Sequence, residues 1–289
     1  MAVRALSACV FACFLVSVPN ASAQQRWLTL PPTPDLPRAV ESGSVQSDGA
    51  RIWYATFGRG PAVTLLHGGL ANSNYWGLQI RYLSRKFRVI AIDSRGHGRS
   101  TNDGRAYSYI QMANDAVAVL DHLKIRQTAV VGWSDGAIIG LYLAINQPQR
   151  VRRLFAFAGN YNSSGLSDGS ASPVFKAYLE RTPREYRELS PGRTPEQYQA
   201  FLTAVMTMWG TQPNIQPAEL QSIRVPVWIV DGDRDEAVKR SHTEELAGFI
   251  PDAGLLIQPQ VSHFSFLQAP DQFSAALLHF LEEPGIPHR

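Results

Sequence analysis

The sequence predicts an α/β architecture: a mostly parallel sheet flanked by helices on both faces, with a small helical cap. Three observations predict it. Apolar runs of strand length alternate along the chain with stretches whose apolar residues recur at three- and four-residue spacing. The strand-length runs are continuous rather than alternating, as in strands buried on both faces. Between Gly159 and Ser222 the alternation stops and polar, helix-prone, proline-punctuated segments take over.

Taken in order, the chain begins with Arg4, an apolar stretch over 5–18 and then Ala21-Ser22-Ala23, the layout of a secretory signal with an AxA-type cleavage site. The stretch is shorter than the 18 or so residues that span a bilayer, so stable membrane insertion is not expected. Residues 1–23 are therefore read as a signal cleaved after Ala23, and the protein as secreted or periplasmic. Leu6-Ser7-Ala8-Cys9 resembles a lipoprotein box but lies at the start of the apolar stretch rather than after it. Both cysteines, Cys9 and Cys13, fall inside the signal. The mature chain must then be held by core packing without disulfides.

Residues 24–43 follow as an extended arm, because Pro31, Pro32, Pro34 and Pro37 disfavour helix and sheet interior. The core is assigned to 44–160 and 223–289. Its strands are expected at 62–66, 87–92, 128–133, 151–158, 225–230 and 255–257, and its helices at 74–85, 107–123, 136–146, 239–250 and 270–282. The cap is assigned to 161–222. Its aromatic and Met residues, Phe175, Tyr178, Tyr186, Tyr198, Phe201, Met206, Met208 and Trp209, are expected to pack a helical layer and together to form an apolar ceiling.

The 289 residues are 45% hydrophobic, enough for a large core. Lys+Arg of 27 against Asp+Glu of 24 leaves +3, with the basic residues scattered, so no nucleic-acid partner is expected.

The chemistry centres on Gly132-Trp133-Ser134-Asp135-Gly136, a GxSxG sequence with a strand before it and a helix after it. The glycines permit a sharp turn that presents Ser134, the candidate nucleophile, at the sheet's C-terminal edge. A serine hydroxyl needs an adjacent base, and the base a carboxylate. Of seven histidines, His67 and His97 sit in glycine turns, His122, His242 and His279 fall on helices where a solvated role is expected, and His288 is in the tail. His263, on a loop after the last strand, remains. For the acid, Asp231, Asp233 and Asp235 compete at the end of one strand; Asp235, farthest out, is preferred, with Asp233 the main rival. The chain order Ser134, Asp235, His263 is the one expected for this nucleophile arrangement. Leu66-His67-Gly68-Gly69-Leu70, after the first apolar strand, offers an oxyanion hole made by the N–H groups of Gly69 and Asp135, with Gly68 the other candidate. Gly68, Trp133 and Asp135 are candidate substrate contacts. His67 is expected to fix its loop, and Asp93 to Ser100 to form a turn whose charged members brace neighbouring loops.

These motifs (LLHGG, DxRGxGxS, GWSDG, a GDxD strand end and a late His-Phe, over residues 63 to 264) resemble the α/β-hydrolase superfamily. GWSDG followed by Ala158-Gly159-Asn160-Tyr161 is similar to its biphenyl-hydrolase-like group. The resemblance implies about eight strands, a helical cap and a Ser134, Asp235, His263 triad. It also implies that Asp135, after the nucleophile, helps bind a substrate amino group. The secretory signal and the His-Phe pair depart from that group.

The expected function is hydrolysis of a small ester, lactone or amino-acid ester through an acyl-enzyme, with no metal or organic cofactor. The expected partner is that small molecule, and the protein a monomer or weak homodimer. Carbon–carbon bond hydrolysis, amide hydrolysis, cofactor-free perhydrolysis and a non-catalytic ligand receptor on the same scaffold are the alternatives.

Overall fold

The computed structural model describes residues 25–192 and 194–283. The predicted signal and its cleavage site lie outside them. Eight strands form one sheet: β1 (Glu41–Ser47), β2 (Ala50–Phe57), β3 (Ala62–Leu66), β4 (Arg88–Ile92), β5 (Thr128–Trp133), β6 (Val151–Phe157), β7 (Val227–Gly232) and β8 (Gly254–Gln258). Their order is β1-β2-β4-β3-β5-β6-β7-β8, antiparallel at β1/β2 and β2/β4 and parallel elsewhere.

Nine α-helices accompany the sheet among the described residues: α1 (Gly77–Leu83), α2 (Tyr109–His122), α3 (Asp135–Asn146), α4 (Pro173–Leu189), α5 (Pro195–Thr211), α6 (Pro217–Leu220), α7 (Arg240–Phe249), α8 (Ser265–Gln268) and α9 (Pro270–Glu282). None is long and apolar enough to cross a membrane.

Both faces of the central strands are covered, which is why their sequences read as unbroken apolar runs. All six residues of β5 are buried. In β6, Leu154 lies against Gly140 of α3, while its neighbour Phe155 packs on Phe273 and Phe280 of α9 from the opposite face.

At the other end of the sheet the polar strand β1, with the sequence ESGSVQS, was not visible as an apolar run. It starts at Glu41, inside the segment assigned to the extended arm, so the arm ends earlier than expected. Asp48 and Gly49 join it to β2 with φ of 40° and 84°. Two positive φ values are what a two-residue hairpin turn of this hand requires.

The cap elements α4, α5 and α6 all fall between β6 and β7. The proline-rich arm crosses from cap to core. Arg181 of α4 donates to the carbonyls of Pro31 (2.7 Å) and Leu30 (3.1 Å), while Gln268 of α8 donates to that of Thr29 (2.9 Å).

Candidate active site

Ser134 sits between the end of β5 and the first residue of α3, with φ 55° and ψ −118°. A non-glycine residue held there stores about 1–3 kcal/mol of strain. The surroundings hold it in place: its N–H donates to Phe157 O (2.8 Å), and its carbonyl accepts from Ala137 N (2.8 Å) and Ile138 N (3.1 Å). The flanking glycines permit this sharp turn by leaving space rather than by adopting an unusual backbone conformation. Neither has a positive φ; they provide clearance, since a Cβ on Gly132 would strike the Gly136 carbonyl and one on Gly136 the Leu66 carbonyl.

His263 is buried on the loop after β8, and its Nδ1 lies 2.7 Å from Asp235 Oδ2. The other oxygen, Asp235 Oδ1, accepts from Ala237 N and Val238 N, each at 2.7 Å. Asp233 instead braces the loop by accepting from Val261 N (3.3 Å). Asp231 lies within β7 and accepts from Thr243 Oγ1 at 2.6 Å. Burial, its leading cause, pushes the Asp231 carboxyl well above the usual carboxylate range, and the charge of Asp235 beside it acts the same way. Burial also raises Asp235, opposed by a hydrogen bond from Asp231 and by the two backbone donors. Burial holds His263 below its ordinary value, against the acidic neighbours Glu236, Asp231 and Asp135. The carboxylate of Glu236 accepts the backbone N–H of His263 at 3.2 Å.

The loop after β3 faces this arrangement. His67 Nε2 accepts from Ser94 N (2.9 Å), which places its proton on Nδ1, and Nδ1 donates to Gly68 O (2.7 Å). His67 therefore fixes its loop, as its sequence context predicts. A Cβ on Gly68 would lie 3.1 Å from Ser134 Cβ, and one on Gly69 would strike the Asp135 carboxylate and the Trp209 ring. The N–H of Asp135, in the first turn of α3, has no carbonyl partner within the helix. Among the described residues no protein acceptor is found for it or for the N–H of Gly69.

Gly69, Trp133, Ser134, Asp135 and His263 all line one cavity of about 310 Å³. Gly68 is absent from its lining. Trp133 forms part of the floor, its ring packed among Tyr75, Phe264 and Phe266. The roof comes from the cap: Phe175, Tyr178, Leu179, Met206 and Trp209. Tyr186, Tyr198 and Phe201 instead pack against one another within the cap layer.

Asp135 is held by Tyr109, which the sequence did not single out, and by Trp209, which it named only as part of the cap's apolar ceiling. Tyr109 OH donates to its Oδ1 (2.9 Å), and Trp209 Nε1 donates to both oxygens (2.9 and 3.0 Å). Burial pushes this carboxyl up to about 6, opposed by those two donors. Tyr178 OH donates to Gly69 O at 2.5 Å. One histidine departs from expectation. His242 is buried, accepts from Tyr161 N at 3.1 Å and stacks on the Tyr161 ring at 4.1 Å, because α7 turns it inward to the loop after β6.

A strained serine on a strand-to-helix turn, sharing a cavity with a histidine–carboxylate pair at the C-terminal edge of an eight-stranded sheet, can be compared with known families. Residues 61–214, more than half of the chain, match the family model of the alpha/beta hydrolase fold. The chain is a member of the α/β-hydrolase superfamily. It is 26% identical to 3-oxoadipate enol-lactonase 2 of Acinetobacter baylyi, covering 78% of this chain and 90% of that one. It is 26% identical to the human serine hydrolase BPHL, covering 84% and 87%. Among solved structures it resembles Est816, described as an N-acyl homoserine lactone degrading enzyme, with 27% identity, a TM-score of 0.66 and coverage of 82% and 100%. This α/β-hydrolase is an enzyme of the hydrolase class, with the fold and family resemblance that its motifs predict.

Proposed function

We propose that this α/β-hydrolase is an exported serine esterase or lactonase that cleaves a small carboxylic ester through an acyl-enzyme, with Ser134, His263 and Asp235 as its triad. Ser134 Oγ attacks the ester carbonyl and its proton passes to His263. Asp235, on Nδ1, holds the tautomer that leaves Nε2 free to accept that proton and stabilises the imidazolium. The N–H groups of Gly69 and Asp135 receive the oxyanion. Collapse expels the alkoxide, which takes the proton from His263. Water then attacks the acyl-enzyme by the same path and releases the acid and Ser134.

The observation that carries this reading is the 2.7 Å contact between His263 Nδ1 and Asp235, made by an imidazole that shares its cavity with Ser134. A cavity of about 310 Å³ lies at the lower end of ligand-pocket sizes and favours a small substrate. The enol-lactonase and the lactone-degrading structure are relatives whose described substrates carry the same functional group.

The test is Ser134→Ala with a p-nitrophenyl ester and a fluorophosphonate probe. The expected loss in kcat is roughly 10⁴- to 10⁶-fold, with no labelling. An unchanged rate overturns the reading. Export is tested by sequencing the secreted protein: a start at Gln24 supports cleavage after Ala23, and a blocked start at Cys9 overturns it.

A further inference from the structure

We propose that the cap sets the oxyanion hole, with Tyr178 of α4 and Trp209 of α5 as positioning residues, each hydrogen-bonded to one of the two residues that supply the oxyanion donors. This rests on the serine-hydrolase reading above.

Gly69 has no side chain to limit its backbone, so the direction of its N–H must be fixed by whatever holds the two peptide planes on either side of it. The plane shared by Gly68 C=O and Gly69 N–H is gripped from the core. Gly68 O accepts from His67 Nδ1 (2.7 Å) and from Ala71 N (3.2 Å). Because the peptide unit is planar, holding its oxygen aims its N–H. The next plane is gripped from the cap, where Tyr178 OH donates to Gly69 O at 2.5 Å. Tyr178 is itself buried against Phe264, beside His263, so its hydroxyl has little freedom to follow a displaced loop.

The second donor carries a complication in its own side chain. Asp135 presents its N–H to the oxyanion, but a carboxylate on the same residue would repel the negative charge developing there. Trp209 Nε1 donates to both carboxylate oxygens and Tyr109 OH to one, so the charge is taken up by neutral donors, one from the cap and one from α2. The Trp209 ring and the Asp135 carboxylate also fill the space that a Gly69 side chain would need. Seating of the cap and competence of the oxyanion hole are therefore one event. Lifting the cap removes a hydrogen bond from each donor residue at once.

The test compares Tyr178→Phe and Trp209→Phe with the unaltered full chain, using p-nitrophenyl acetate and a trifluoromethyl ketone that forms a tetrahedral adduct on the serine. Both variants should lower kcat by about tenfold or more while KM stays within about twofold. Binding of the ketone should weaken by the same factor as kcat/KM. A folded variant of either kind with full kcat, or a loss carried by KM alone, overturns the proposal. If thermal unfolding shows that Tyr178→Phe does not fold, Trp209→Phe decides. Ser134→Ala separates the two levels: residual full turnover there sinks the serine-hydrolase reading itself, whereas abolished turnover with an unaffected Tyr178→Phe sinks only the role of the cap.

Discussion

Asp235 divides its two carboxylate oxygens between His263 and its own loop: Oδ2 lies 2.7 Å from His263 Nδ1, and Oδ1 accepts the N–H groups of Ala237 and Val238 at 2.7 Å each. An asparagine in this place can keep the loop contacts with its amide oxygen. Its amide nitrogen then faces His263 and donates, forcing the proton onto the opposite ring nitrogen. Asp235→Asn should therefore fold normally, keep KM, and lower kcat on a p-nitrophenyl ester by about 10⁴-fold. Steady-state kinetics alongside thermal unfolding decide the matter, and a loss of less than tenfold would remove Asp235 from its proposed role.

A second prediction concerns pH. In the proposed mechanism His263 acts as a base only when neutral, so kcat/KM should fall as the pH drops through its pKa, and burial places that acid limb below the ordinary value of 6.5. Glu236 is the leading influence in the other direction, since its negative charge favours the imidazolium. Glu236→Gln retains an oxygen for the His263 N–H but removes the charge. The acid limb of kcat/KM should then move to lower pH; a shift to higher pH would contradict the assignment of the limb to His263.

The parts of the structure legible in the sequence are those set by local patterning. Strands β3 and β5 were delimited by their apolar runs, and Ser134 by the strand and helix around it. Asp235 and His263 followed from loop position, without any knowledge of their separation in space. What was not legible falls into two kinds. Strand β1 has too few apolar residues to register as a run, and its one local signal was the Asp48-Gly49 turn. The supports of Asp135 are the other kind: Tyr109 and Trp209 lie 26 and 74 positions away in the chain. Periodicity indicates that a helical residue faces inward, but it carries no information about which distant carboxylate it will meet. The same limit explains His242, whose helical position left open whether it faced solvent or the loop at Tyr161.

His97 gives a third prediction, this time for stability. Its Nδ1 contacts Arg95 O at 2.9 Å, its Nε2 has no hydrogen-bond partner among the described residues, and its ring meets the edge of Phe201. Burial first, and His67 second, push it down to about 3, against the Arg95 carbonyl and Asp93. Below pH 6.5 the unfolded chain takes up a proton at this position that the folded chain refuses. The contribution of neutral His97 is thus fully present above 6.5 and is lost as the pH falls towards 3, by roughly 1.4 kcal/mol per pH unit. His97→Asn cannot titrate. Urea unfolding at pH 6.5 and pH 5 should show a smaller loss of stability for the variant than for the parent, by about 2 kcal/mol. Equal losses would mean that His97 is protonated in the folded protein.

The glycines of the serine turn can be separated from those that are merely tolerated. At Gly132 an added Cβ meets the backbone of Gly136 and Ala137, in a turn already fixed by the hydrogen bonds of Ser134. Backbone atoms there cannot withdraw without moving β5 away from α3. Gly132→Ala should therefore lose roughly 4 kcal/mol or more, or fail to accumulate as folded protein. Gly210 in α5 and Gly248 in α7 have open space where a Cβ would go, and both lie inside helices without a positive φ. Alanine at these positions removes conformational freedom from the unfolded chain without a clash, so each replacement should stabilise by about 0.5–1 kcal/mol. Thermal unfolding of the three variants tests the contrast directly. If Gly132→Ala were as stable as Gly248→Ala, clearance at the serine turn would not be the reason for its glycines.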